Sequence, residues 1–189
     1  MICNNDVVYL TDELVRVEWD PPGLTEDPIL ICWSGLTAVG RRRILQLSEG
    51  AGSPKAVALQ TGDFGLTVAI VFSSAQVVAI AQGEAFFLPF LRLSDACRLR
   101  PFPVVAYQTD SRTGLALLVS QNALCIYQES GLVLYAERET DSLEVKNWRS
   151  DKVSLSYCLT GRENVVSEEM LVDLTRIVPW KEVCSMEPS

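Results

Sequence analysis

The apolar residues of this chain are laid out in strand-length pieces, and that spacing limits the fold more than any motif does. Val15, Val17 and Trp19 alternate with Arg16, Glu18 and Asp20, and Val153, Leu155, Tyr157 and Leu159 alternate with Ser154, Ser156 and Cys158. A period of two puts each set on its own face of an extended chain, so both segments predict half-buried strands. Ile29–Trp33, Leu66–Phe72 and Leu115–Val119 are apolar on both faces and read as central strands covered on both sides. These runs are far shorter than the ~18 residues that a membrane-crossing helix needs, so no membrane insertion is expected.

Turn residues divide the runs at near-regular intervals. Between 113 and 139, Gly114 opens a run to Val119, Ser120-Gln121-Asn122 turns into Ala123–Gln128, and Glu129-Ser130-Gly131 turns again into Leu132–Glu137. That order predicts a three-stranded meander. Similar hairpins are expected at 66–82 around Ser73-Ser74 and at 143–159 around Arg149–Lys152. Asp20-Pro21-Pro22-Gly23 through Pro28 and Glu49 through Pro54 are irregular connections. Leu91–Arg100 has room for a short helix closed by Pro101 and Pro103.

One longer amphipathic helix is expected at 167–178. Ser167 would be its N-cap, Glu168 and Glu169 would suit its first turn, and Met170, Leu171, Leu174, Ile177 and Val178 recur at helical spacing before Pro179. The fold class is therefore mainly β: a single domain over 1–189, an antiparallel sandwich or barrel with one C-terminal amphipathic helix. A small β-propeller-like arrangement is the alternative, without the WD and GH signatures of the common repeat.

The chain contains no histidine, which removes Ser-His-Asp and Cys-His catalysis and His-liganded zinc. The remaining strings that imitate signatures fail on context. Asp63-Phe64-Gly65 spells a kinase magnesium motif but has no partner loops, and Gly35–Gly40 has P-loop spacing with Arg41 and Arg42 where Lys and Ser or Thr are required. Glu137, Glu139 and Asp141 lie at a strand end and read as a solvated edge. No catalytic, cofactor-binding or metal-binding residue is assigned.

The six cysteines lie about thirty or more residues apart along most of the chain, with no CxxC pair. Zinc sites normally show a short chelating pair, so buried free thiols are expected. The N-terminus lacks the basic and apolar regions of a secretory signal, and no Asn-x-Ser/Thr sequon occurs. Cytoplasm or nucleus is the expected compartment.

A net charge of −8 makes nucleic acid an unfavourable partner, because phosphate binding rests on Lys and Arg. The densest positive cluster, Arg41-Arg42-Arg43, suits an acidic protein partner through the guanidinium fork. Trp148 and Trp180 adjoin turns and are the candidate aromatic anchors. The function expected is a non-catalytic protein–protein interaction module or accessory subunit, with homo-oligomers through sheet edges as a further route. Small-ligand binding or carboxylate chemistry in a β-barrel is the alternative, and a nucleic-acid-binding β domain comes third.

Overall fold

The computed structural model describes residues 5–11, 15–24, 27–31, 42–49, 53–61, 65–73, 75–121, 123–137, 142–149, 152–158, 165–173 and 175–185. The side chains of 142–170 are outside this description. Where the sequence leads one to expect a single domain, the chain divides into two compact units, Met1–Leu99 and Arg100–Ser189. Each has a hydrophobic cluster of its own.

The first unit contains β1 (Asn5–Tyr9), β2 (Val15–Trp19), β3 (Ile29–Ile31), β4 (Arg42–Glu49), β5 (Lys55–Gln60), β6 (Thr67–Ser73), β7 (Gln76–Ala81), β8 (Glu84–Pro89) and β9 (Cys97–Arg98). They form two sheets, in the orders β2-β4-β5-β3 and β1-β6-β7-β8-β9. The period-two reading of β2 holds: Val15, Val17 and Trp19 are buried and Arg16 is exposed. Those three residues, with Leu45, Leu47, Val57 and Leu59, pack on Ala69, Val71, Val77, Ala79, Phe86 and Leu88 from the second sheet. Two sheets face to face over one apolar layer are a sandwich-like arrangement. Val68, Ile70, Val78 and Ile80 occupy the opposite face and are also buried, as the all-apolar run predicts.

Pairing is antiparallel except at two places, where β1 runs parallel to β6 and β3 parallel to β5. The hairpin expected around Ser73-Ser74 is β6–β7. A second tight hairpin joins β7 to β8 through Gln82 and Gly83, with φ of 51° and 84°. Two consecutive positive φ values are what a two-residue type I′ loop requires, a position that usually selects Asn or Gly. Gln82 serves here because its backbone N–H donates to Thr67 Oγ1 at 3.3 Å and its side-chain carbonyl accepts from Thr61 Oγ1 at 2.9 Å. The short helix expected within 91–100 is a three-residue 3-10 helix, Leu93–Asp95.

The second unit contains β10 (Ala106–Asp110), β11 (Leu115–Val119), β12 (Ala123–Gln128), β13 (Gly131–Glu137), β14 (Ser142–Arg149), β15 (Lys152–Cys158), β16 (Val165–Leu171), β17 (Val178–Pro179) and α1 (Trp180–Val183). The meander expected at 113–139 is β11-β12-β13, extended to β10-β11-β12-β13-β17. Its first turn is closed by Ser120, whose Oγ accepts from the Ala123 N–H at 3.0 Å. The hairpin at 143–159 is β14–β15, and β16 completes a three-stranded sheet. Leu115, Leu117, Val119, Leu124, Ile126, Val133 and Val172 form the core of this unit. None of the four sheets closes into a barrel among the described residues.

The helix expected at 167–178 is absent. Residues 165–171 are β16, paired antiparallel with β15 from Val165 opposite Cys158 to Leu171 opposite Lys152. Two physical causes outweigh the helical spacing. A neighbouring strand supplies every ladder partner, whereas a helix must first pay for its nucleus. Downstream, the Asp173 carboxylate accepts from the Thr175 N–H at 3.0 Å and from Thr175 Oγ1 at 2.6 Å, a local turn that competes with continued helix. Leu171, at the end of β16, is exposed, and Val172 just after it is buried. Pro179 does not stop a helix; it is the N-cap of α1.

Cys125 is a buried free thiol, but Cys97 and Cys184 are disulfide-bonded, against the expectation of free thiols. Spacing along the chain does not report distance in space, and disulfide formation depends on the latter.

Candidate interaction surfaces

The arginine cluster is divided by the pleat of β4. Arg41 lies outside the described residues, Arg42 is exposed, and Arg43 falls on the core face with Leu45 and Leu47. Arg43 is 8% exposed. Its Nε donates to Asp20 Oδ2 at 2.7 Å, its Nη1 donates to Thr67 Oγ1 at 3.3 Å, and its guanidinium sits 5.5 Å from the Trp19 ring centre. Asp20 also accepts from the Ile44 N–H through Oδ1 at 2.8 Å. Arg43 is thus a structural clamp between the two sheets of the first unit. Its period-two relation to Leu45 and Leu47 is the sequence signal for that placement.

Trp180 is likewise internal. Its ring stacks on Tyr127 with centres 5.3 Å apart and planes 10° from parallel, and its Nε1 donates to the Glu129 carbonyl at 2.7 Å. An anchor role towards a partner is therefore taken up by its own unit. Trp148 lies on β14, opposite Val153, and its side chain is outside the described residues.

Beside Tyr127, burial pushes the Cys125 thiol up to about 12, against smaller downward pulls from the Tyr127 hydroxyl and the Arg100 charge. A thiol held protonated is a poor nucleophile. Tyr127 is raised by the same burial and then by Cys125; its hydroxyl donates to the Arg100 carbonyl at 2.6 Å. Nearby, Tyr135 donates to Glu137 Oε1 at 2.9 Å, with Arg100 5.6 Å from the Tyr135 ring centre. Partial burial, then the Glu137 hydrogen bond, raises the Tyr135 phenol. Glu137 is engaged within its own strand, and Glu139 and Asp141 lie outside the described residues. Among the described residues no group of three potential ligands could hold a metal ion.

A shallow groove of about 320 Å³ runs over the outer face of β2, β4 and β5. Arg16, Glu18, Gln46 and Ser48 form its floor, and Pro21, Pro22, Leu24 and Pro54 its walls. Arg16 and Glu18 pair with each other at 3.2 Å in an exposed position, where an ion pair is worth little.

One sheet edge lies at β10. It stands at the end of its sheet, paired with β11 alone among the described strands. The segment leading into it exposes Phe102 (40%) and Val105 (48%) beside an exposed Ala106. Asp110 at its far end accepts from the Arg112 N–H at 3.1 Å and from Thr113 Oγ1 at 2.7 Å, which fixes the turn into β11. Sequence reasoning missed this strand because Ala106-Tyr107-Gln108-Thr109-Asp110 has no apolar alternation. No described helix is long and apolar enough to cross a membrane. No protein-family model, curated protein or solved structure matches this chain.

Proposed function

We propose that this protein is a non-catalytic protein–protein interaction module, an accessory subunit that docks through the open edge of β10. The observation that supports this most is the pairing of exposed Phe102 and Val105 with a terminal strand. Backbone groups on such an edge supply affinity by strand addition, and neighbouring apolar side chains supply selectivity. Arg42 adds an exposed cation on the other unit, suited to an acidic contact that accelerates association more than it prolongs it.

A photo-crosslinking residue at position 105 tests this reading, with the 77% exposed Leu91 as the control position. A defined protein joined at 105 and not at 91, and binding again as a purified component, supports it. Equal, indiscriminate labelling at both positions contradicts it.

The groove at Arg16 and Glu18 favours the small-ligand alternative, for which thermal stabilisation by a ligand, lost in Arg16→Ala, is the check. The sequence favours cytoplasm or nucleus, whereas the disulfide bonding of Cys97 and Cys184 favours an oxidising compartment. The redox state of the protein taken directly from its source decides between them.

A further inference from the structure

Independently of the β10 edge, and resting on the small-ligand reading of the groove, we propose that the groove over β2, β4 and β5 binds a small aliphatic zwitterion of the α-amino-acid class. Its polar floor is built as two halves. Arg16 stands opposite Ser48, and Glu18 opposite Gln46, in the β2–β4 ladder, and all four line the groove. Directly opposite side chains are about 5 Å apart at Cβ, close enough to share one ligand group. The Arg16 guanidinium and the Ser48 hydroxyl can both donate to a carboxylate, while the Glu18 carboxylate and the Gln46 amide carbonyl can both accept from an ammonium. The halves lie two residues apart along the strands, about 6.6 Å, a spacing that a molecule with its charges on adjacent groups can bridge.

The contact already made between Arg16 and Glu18, at 3.2 Å, has side-chain exposures of 78% and 39%. A pair so well solvated contributes little, so a ligand can take over both partners at small cost. Other ligand classes fit less well. A simple anion would meet Glu18 and the chain's net charge of −8, and a simple cation would meet Arg16. A flat aromatic ligand would find no ring to stack on, since none of the described lining residues is aromatic.

The walls suit an aliphatic side chain, because Pro21, Pro22, Leu24 and Pro54 are themselves aliphatic. A volume of about 320 Å³ is at the small end of ligand pockets. The wall at Pro21 and Pro22 is also anchored at its base. The Asp20 N–H donates to the Ile44 carbonyl at 2.7 Å and its Oδ1 accepts from the Ile44 N–H at 2.8 Å, and the two proline rings fix φ beyond it. A preformed wall lowers the ordering cost of binding.

Titration of the full chain with L-leucine, N-acetyl-L-leucine and L-leucinamide, followed through the amide chemical shifts of β2 and β4, tests the proposal. The probes share one side chain and present a zwitterion, an anion and a cation; the blocked forms also stand for the two ends of a peptide. Leucine is expected to bind with a dissociation constant on the order of 1 mM, the scale of a few polar contacts. It should bind at least about fivefold more tightly than either blocked form, each of which lacks one charge-assisted contact. Arg16→Ala and Glu18→Gln should each weaken leucine by at least about fivefold for the same reason. Glu18→Gln should also erase the preference for leucine over N-acetyl-leucine, whereas general damage to the groove would weaken both alike.

Circular dichroism checks that the variants are folded, and the comparison of the three probes on the wild type stands without them. No binding of leucine, or binding unchanged in both folded variants, overturns the proposal. A blocked form that binds as tightly as leucine also overturns it, and assigns the groove to a peptide terminus. If leucine fails but another compound raises the melting temperature of the wild type and not of Arg16→Ala, the zwitterion falls and the small-ligand reading stands. If no compound does so, both fall.

Discussion

Arg43 and Asp20 show how one buried charge organises the first unit. The Arg43 side chain is 10% exposed and that of Asp20 43%, so the aspartate stays partly solvated while the arginine depends on it. Removing Asp20 takes away the 2.7 Å acceptor of the Arg43 Nε and the acceptor of the Ile44 N–H. Asp20→Ala is expected to destabilise the fold by about 1.5–3 kcal/mol, from the loss of hydrogen bonds to a charge, as measured by urea denaturation. A second residue-level expectation concerns Cys125. Its thiol stays protonated up to about 12 in the fold, against an ordinary value of 9.0. A raised folded-state value means that this contribution to stability is complete below pH 9 and is lost as pH rises from there towards about 12. Tyr127 acts in the same direction. Alkaline titration of the melting temperature should show the fall, and Cys125→Ala should reduce it. Cys125 should also resist alkylation in the folded protein, and Cys97 and Cys184 should become alkylated only after reduction.

At the scale of elements, the strands were legible wherever alternation or a two-faced apolar run was bounded by turn residues. β2, β6, β7, β11, β12 and the β14–β15 hairpin follow from that reading. β16 did not, since Met170, Leu171 and Leu174 fit a helix equally well and the ladder offered by β15 is invisible locally. β10 was missed for the opposite reason: a polar edge strand carries little hydrophobic signal. The short β17 depends on one glycine. Gly131 has φ of 145°, and a Cβ there would collide with the Val178 carbonyl, which belongs to the segment that brings Trp180 onto Tyr127. Gly131→Ala is expected to cost about 1–3 kcal/mol, from an L-residue held in a glycine-only conformation. It should also detach the C-terminal segment, read as a red shift in tryptophan emission that is absent from a Trp180→Phe background.

For the whole molecule, the mainly β class was readable from the sequence, while the division into two units and the disposition of the candidate site residues were not. Arg43 and Trp180 have the composition of interface anchors, but both are used to hold their own units together. That use depends on Asp20, Thr67, Tyr127 and Glu129, partners distant in sequence. Among the described residues, the surfaces that remain open to other molecules include a polar groove, the exposed Arg42 and the edge of β10. The docking account requires β10 to be an open edge in the isolated chain. Amide hydrogen exchange in dilute, monomeric protein measures this directly, by comparing β10 with the interior strand β12. The account predicts β10 amides that exchange much faster than those of β12 and become protected only when another strand is bound. Protection of β10 equal to that of β12 in the dilute monomer would contradict it.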